Sequence, residues 1–280
     1  LDASGVAGGS AAYLSLFSNG GEAYKAVDII SGLAWGLGYC GMPHILVRFM
    51  AVRNEKELKK SKGIAIIWVF ISLACAWVIG ILGRAYLFPE VLTGGEEEKV
   101  FIKMIIKLFS EDVKLPLIGG FFLCGILAAI MSTADSQLLA ASSAISQNLA
   151  VEVLHINMSK KTSMLVARLT VVVISVISIF FALDPTSSVF KIVSFAWAGF
   201  GAAFGPVVLC SLFWKRANKY GIVSGMIAGG AMIFIWKFGI AKLGGIFAVY
   251  ELLPAFIFAT LVIIVVSLAT GKPSKEVMDK

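Results

Sequence analysis

The sequence Gly125-Ile-Leu-Ala-Ala-Ile-Met-Ser132-Thr133-Ala-Asp135-Ser136-Gln137-Leu-Leu139 lies in the middle of a long apolar run. It places hydroxyls, a carboxylate and an amide at a depth where lipid offers no hydrogen bonds. An aspartate at the centre of a membrane helix costs about 2.5 to 3.5 kcal/mol on insertion scales, so such residues are kept where they have a function. Passage of an ion or a solute is the function that we expect of this stretch.

Composition places the whole chain in a bilayer. It is 59% hydrophobic and 15% charged, with a mean hydropathy of +0.91, whereas soluble domains average roughly 45 to 50% apolar and 25% charged residues. A membrane-spanning helix needs about 20 apolar residues. The stretches that meet this need are 28–50, 61–88, 117–150, 163–183, 189–214, 219–240 and 246–270. We therefore predict an all-α integral membrane protein in which residues 1–280 form a single transmembrane domain.

Positive charge is concentrated in alternate loops of this predicted arrangement. The formal net charge is +7, and most of the basic residues follow the first, third and fifth spans or close the chain. They are Arg48, Arg53, Lys56, Lys59, Lys60, Lys62, Lys160, Lys161, Lys215, Arg216, Lys219, Lys272, Lys275 and Lys280. Short loops rich in Lys and Arg stay in the cytoplasm. We therefore predict a multi-pass protein of the cell membrane, with a cytoplasmic C-terminus and no nucleic-acid partner.

The N-terminal residues do not resemble the start of a membrane protein. The chain opens at Leu1 without an initiator Met, and it lacks the basic and apolar regions of a signal peptide. The first residues, which are rich in Gly, Ala and Ser, resemble the end of a loop arriving from an upstream half. We therefore expect the sequence to be a fragment of a longer chain.

The first predicted span is interrupted at Trp35-Gly-Leu-Gly-Tyr39-Cys-Gly41-Met-Pro43-His44. Pro43 lacks a backbone donor and disfavours helix at the residue before it, so the helix should bend or unwind there. Irregular backbone at membrane depth is tolerated where it lines a cavity or is buried in protein, and many secondary transporters bind substrate at such breaks. Trp35 and Tyr39 share one helical face. They either line a solute site or pack in the core.

The polar stretch brings three neutral oxygens to one helical face. The Ala129 carbonyl lies about one turn from the hydroxyls of Ser132 and Thr133, and hard cations prefer oxygen ligands. This is half a coordination shell for a monovalent cation, unless the hydroxyls bond back to carbonyls one turn earlier. Asp135 lies one turn from Ser132. It is either on the path of an ion or proton, or caps a neighbouring helix in its neutral form.

Three motifs resemble the sodium/solute symporter family, and specifically its proline-transporting members. They are the string from Trp35 to Met50, the string Ile126-Leu-Ala-Ala-Ile-Met-Ser132-Thr133 followed by Gln137-Leu-Leu, and Ala196-Trp197-Ala-Gly-Phe-Gly201-Ala-Ala-Phe-Gly205-Pro206-Val-Val-Leu209. The likeness covers essentially the whole chain in order, and it includes Trp236, Pro254 and Gly271 near the end.

The resemblance implies a LeuT-like fold of two inverted repeats, of which this chain would be the second repeat plus two peripheral helices. It implies sodium binding by Ala129, Ser132 and Thr133, with the remaining ligands on a helix outside this chain. It implies that Trp35, Tyr39 and Pro43 line the substrate site. It also implies that Trp197, Gly201, Gly205 and Pro206 form a gate and hinge. The expected activity is sodium-coupled import of L-proline or a similar small solute, with sodium as coupling ion and no other cofactor.

The chain departs from the family's proline-carrier pattern at two positions. Asp135 stands where the pattern has a small neutral residue, and Met42 stands where it has glutamine. An added carboxylate at Asp135 would tune cation affinity, couple a proton, or mark a sister symporter for another small amino or organic acid. A symporter-like sensor domain is a separate alternative. An enzyme is not expected, because His44 and His155 lie at or beyond span ends and no second carboxylate, metal motif or activated nucleophile accompanies Asp135.

Overall fold

The computed structural model describes residues 9–15, 17–19, 22–93, 95–183 and 188–271. Within these ranges the regular structure is helical, apart from a short antiparallel pair of strands, β1 (Ser18–Asn19) and β2 (Glu22–Ala23). The α-helices are α1 (Gly9–Tyr13), α2 (Ala26–Gly38), α3 (Pro43–Met50), α4 (Glu55–Tyr86), α5 (Val100–Ile106), α6 (Pro116–Ser143), α7 (Lys160–Ala182), α8 (Val189–Phe213), α9 (Lys219–Phe238) and α10 (Leu252–Ala269). This confirms the all-α class. The basic residues Lys272, Lys275 and Lys280 lie outside the described residues.

Six helical segments of the described chain are long and apolar enough to cross a membrane. They are Glu55–Tyr86, Pro116–Val153, Lys160–Ala182, Val189–Phe213, Lys219–Leu243 and Leu252–Ala269. A seventh crossing arises if α2 and α3 are counted as one span, bent by 47° at a short break. The chain is therefore a multi-pass membrane protein.

One compact unit falls within Val6–Ala51 and Val189–Lys280, and we refer to it as the α8–α10 unit. Its core is the three-helix packing of α8, α9 and α10, with α2 against α8. Small residues let these helices approach closely, as is usual in membranes. A Cβ on Gly225 would collide with Ile263 of α10, and one on Gly229 would collide with the Ala202 carbonyl of α8.

The cytoplasmic side predicted for this unit contains a buried polar link between α9 and α10. Asn218 caps α9, because its Oδ1 accepts a hydrogen bond from the Gly221 N–H at 2.9 Å. The same side chain donates to Thr270 Oγ1 at 2.7 Å and to the Gly271 carbonyl at 2.8 Å. One amide therefore fixes the start of α9 against the end of α10.

The second compact unit includes Val52–Ser188, and we refer to it as the α4–α7 unit. Its short helix α5 packs its apolar face on α4 and α6, where Val100 lies against Gly83 and Ile105 lies near Gly119. The other face is charged. Its Lys103 ammonium lies 2.6 Å from Glu90 and 3.1 Å from Glu96.

These ion pairs on α5 shift the pKa of the groups that form them. The hydrogen bond to Glu90, followed by the one to Glu96, raises the pKa of the Lys103 ammonium. Hydrogen bonds from Lys99 and Lys103 lower the pKa of the Glu96 carboxyl. All of these side chains face solvent, so the pairs orient the loop and contribute little stability.

Candidate functional site

The break in the first span lies between α2 and α3. Helix α2 ends at Gly38, and α3 begins at Pro43, which occupies the first helical turn. A backbone N–H in the first turn has no acceptor within the helix, so a proline here costs no hydrogen bond. Pro43 is exposed, whereas the neighbouring Gly41 and Met42 are buried. The predicted interruption is present, and it turns the chain by 47°.

Trp35 of α2 and Tyr39, the residue that directly follows α2, contact the same indole of α8. The Trp35 ring stacks on Trp197 with centroids 5.4 Å apart, and the Trp197 indole N–H donates to the Trp35 carbonyl at 3.0 Å. Tyr39 meets Trp197 edge to face at 4.8 Å. Trp197 is 9% exposed and Tyr39 is 52% exposed. The pair therefore packs on one side and remains open on the other.

The other contacts of Trp35 come from the start of α8 and from the segment before α10. Its ring stacks on Phe190 at 5.4 Å and on Tyr250 at 6.0 Å. The Tyr250 hydroxyl donates to the Ser194 carbonyl at 2.5 Å, and the Tyr250 N–H donates to Ser31 Oγ at 3.0 Å. Burial, reinforced by the nearby Glu251 carboxylate, raises the pKa of Tyr250, so its hydroxyl stays protonated and can donate.

Sequence reasoning did not identify Tyr250 or its neighbour Glu251. The Glu251 carboxylate is 5% exposed and lies 2.8 Å from the Lys237 ammonium of α9. The sequence does offer one signal for Glu251, because a charged residue directly before an apolar span can be functional. Many residues in this position only cap a helix, so the signal is weak. The burial of Glu251 could not be inferred, because the partner lies on another helix.

The predicted hinge residues of α8 lie at a close helix crossing. Gly201, Gly205 and Pro206 are all buried. A Cβ on Gly201 would lie 2.8 Å from the Gly38 Cα, and one on Gly205 would lie 2.5 Å from the Phe256 ring. A Cβ on Gly41 would meet the backbone of both glycines at 2.9 Å. Side chains larger than hydrogen are therefore excluded where the helix break meets α8.

The predicted sodium ligands lie together on α6, in the α4–α7 unit. The Thr133 hydroxyl donates to the Ala129 carbonyl at 3.2 Å, and the Ser136 hydroxyl donates to the Ser132 carbonyl at 3.0 Å. Back-bonding of Thr133 is thus present. It leaves lone pairs on the Thr133 hydroxyl oxygen, so that atom remains able to bind a cation. The side chains of Ser132, Thr133 and Asp135 are exposed.

A model of the sodium:solute symporter family matches residues 15–229, which is well over half of the chain. The chain belongs to this family. The matched region includes α2, α3, α6 and α8, which together contain every site residue predicted from the sequence. It ends within α9, so α10 lies beyond it.

Relatives within the family are named for proline transport. The chain is 43% identical to the osmoregulated proline transporter OpuE of Bacillus subtilis over 252 residues, covering 90% of this chain and 50% of that protein. It is 43% identical to the sodium/proline symporter of Haemophilus influenzae over 257 residues, covering 90% and 50%. For the high-affinity proline transporter PutP of Bacillus subtilis, the values are 42% over 256 residues, covering 91% and 52%. The chain thus spans about half the length of these relatives. No solved structure matches it.

Proposed function

We propose that this chain forms part of a sodium-coupled symporter that imports proline across the cell membrane. The observation that carries the proposal is the match along about nine-tenths of the chain to relatives named as proline transporters. The broken span supports it, because secondary transporters bind substrate at discontinuous helices.

The architecture that we propose is a LeuT-like pair of inverted repeats, with this chain supplying the second repeat and two peripheral helices. In such transporters the binding sites lie near the bilayer midplane, at the interface of the repeats, and one repeat rocks against the other. Helices α2 to α8 would form the repeat, with α9 and α10 outside it. Basic residues in alternate loops support a cytoplasmic C-terminus. A reporter fused to the C-terminus, active on only one side of the membrane, would test this orientation.

The ion site that we propose uses the Ala129 carbonyl with the Ser132 and Thr133 hydroxyls. Three neutral oxygens on one face of α6 suit a hard monovalent cation. Asp135, one turn further along, is proposed as an additional ion or proton site. Its exposed carboxylate on a membrane-spanning helix supports this assignment, because such groups normally face water or a bundle interior.

The solute site that we propose is formed by Trp35, Tyr39 and Pro43. Proline presents an apolar ring beside a charged head, and the exposed edge of the aromatic pair would contact the ring. Trp197, with Gly201, Gly205 and Pro206, would act as gate and hinge. The close crossing of α2 and α8 supports this role, because the Trp197 indole of α8 packs against α2 and would move with a shift of either helix.

Uptake of radiolabelled proline tests the function directly. Cells expressing the complete symporter, of which this chain is proposed to be a part, should accumulate proline when an inward sodium gradient is present, and should lose that uptake when the gradient is collapsed. Excess unlabelled proline should compete more strongly than other small amino acids or organic acids. Sodium-driven uptake in which another solute competes best would overturn proline as the substrate, and uptake unaffected by sodium would overturn the coupling.

A further inference from the structure

We propose that Tyr250 is a positioning residue that holds the Trp35 indole for solute binding. This makes the segment before α10 part of the transport machinery. The inference rests on the proposed solute role of Trp35. It concerns a residue beyond the region that the family model matches, two residues before helix α10, which the resemblance to the family implies is peripheral.

Tyr250 joins the two helices that carry the aromatic cluster. Its N–H donates to Ser31 Oγ of α2 at 3.0 Å, and its hydroxyl donates to the Ser194 carbonyl of α8 at 2.5 Å. Between these two attachments its ring stacks on Trp35, which lies one turn after Ser31 on α2. The residue therefore fixes both the ring and the helix on which the ring is mounted.

The segment that contains Tyr250 is itself firmly anchored. Glu251 is 5% exposed and paired with Lys237 at 2.8 Å, and Leu252 is fully buried. The Trp236 indole donates to the Val249 carbonyl at 3.3 Å. Lys237 is 41% exposed, so the pair is buried on the Glu251 side alone. Displacing this segment would leave the buried Glu251 carboxylate without its partner, which is costly. The pair thus resists displacement of Tyr250 and keeps its ring against Trp35.

The contacts assign Tyr250 to positioning and not to direct contact with solute. Its hydroxyl is already bonded to a backbone carbonyl and its ring is against Trp35. Tyr39, which directly follows α2, is 52% exposed and is therefore open to a solute. Tyr250 would therefore affect the binding of a solute at Trp35 only by setting the orientation of the Trp35 indole.

A double-mutant cycle on proline affinity, measured in the complete symporter of which this chain is proposed to be a part, tests this role. Tyr250→Phe keeps the ring and removes the bond to Ser194, and it should raise the proline concentration for half-maximal uptake about fivefold. The half-saturating sodium concentration and the maximal rate should change less than about twofold. In a Trp35→Ala background the same substitution should have almost no further effect, because residues that act through one another are not additive.

Two other variants complete the experiment. Ser31→Ala removes the acceptor of the Tyr250 N–H and should change proline affinity in the same direction as Tyr250→Phe. Tyr220→Phe removes a phenol hydroxyl from an exposed tyrosine of α9 and should leave both affinities unchanged. If Trp35→Ala weakens proline binding but Tyr250→Phe does not, or if the two effects are additive, the positioning role is wrong. If Trp35→Ala itself leaves proline affinity unchanged, the solute role of Trp35 fails, and the role of Tyr250 fails with it.

Discussion

At the scale of single residues, the bond between Thr133 and Ala129 shows how one helix can prepare a cation site. The hydroxyl donates its proton to the carbonyl one turn earlier, and its oxygen keeps its lone pairs for another partner. Sodium needs acceptors and no donors, which makes a hydroxyl whose proton is already engaged a suitable ligand. Back-bonding and ion binding are therefore compatible at this position.

Ser132→Ala and Thr133→Ala should each raise the sodium concentration for half-maximal proline uptake by about tenfold or more. Hydrogen-bonding groups that contact a charge contribute about 1.5 to 3 kcal/mol, which corresponds to at least that factor. Sodium titrations of uptake, normalised to surface expression, measure the effect.

Ser178→Ala is the matched control for these substitutions. The Ser178 hydroxyl is exposed on α7 and bonds back to the Ile174 carbonyl at 2.9 Å, so its removal tests loss of a back-bond alone. Sodium dependence should stay at the wild-type value. Unchanged sodium dependence in both Ser132→Ala and Thr133→Ala would remove this site from the mechanism.

Asp135→Asn should weaken cation binding, seen as a higher sodium concentration for half-maximal uptake. The substitution keeps the size of the side chain and removes the negative charge that would attract a cation on the ion path. Titrations of uptake with sodium and with lithium would check this. A variant that matches wild type under all of these conditions would place Asp135 in a structural role.

The sequence could predict which residues share a face of one helix, but not what lies opposite that face. Trp35 and Tyr39 are four residues apart, and helical geometry alone puts them together. Their common partner Trp197 is 162 residues beyond Trp35, and spacing contains no information about that contact. The resemblance to a family supplied Trp197, whereas nothing in the sequence analysis supplied Tyr250.

At the scale of helices, glycine positions separate close crossings from open surfaces. Gly201→Ala should destabilise the protein, because the new Cβ would lie 2.8 Å from the Gly38 Cα and 2.9 Å from Leu252 Cδ1. Backbone cannot move aside as a flexible side chain can, and overpacking of this kind costs about 1 to 3 kcal/mol. Thermal unfolding of the purified protein in detergent should show a lower Tm.

Gly199→Ala provides the matched control two residues earlier on α8. No heavy atom of the described residues that could oppose a Cβ lies within 4 Å of that position, and alanine is the better helix former. The Tm of Gly199→Ala should equal or exceed that of wild type. Equal Tm values for Gly201→Ala and Gly199→Ala would contradict the close crossing of α2 and α8.

Hydropathy predicts where helices are apolar, but caps decide where they begin. Helix α4 starts at Glu55, ahead of the apolar run, because Asn54 Oδ1 accepts a hydrogen bond from the Glu57 N–H at 2.9 Å. The break at Pro43 was predictable for the opposite reason, since proline acts on its own backbone. Helix ends that depend on residues close in the sequence could therefore be predicted, whereas the packing of α5 against α4 and α6 could not.

At the scale of the whole molecule, the proposed mechanism needs more than the residues of this chain. Its three sodium-binding oxygens all lie on α6, and one helix cannot surround an ion. Transporters with inverted repeats complete their sites with groups from both repeats, which move relative to each other during transport. The rest of the coordination shell, and the surface against which this repeat would rock, must then come from the first repeat.

The 280-residue chain expressed alone should therefore insert into membranes without driving proline uptake. Its helices are apolar enough to span, but a half-formed site should bind sodium too weakly to couple the gradient to solute movement. Uptake of radiolabelled proline into reconstituted vesicles, with and without an inward sodium gradient, measures this. The sodium/proline symporter of Haemophilus influenzae, reconstituted in the same lipid, controls for vesicle integrity. Gradient-driven uptake by the 280-residue chain would mean that all ion ligands lie within these helices, and the assignment of the remaining ligands to the first repeat would be wrong.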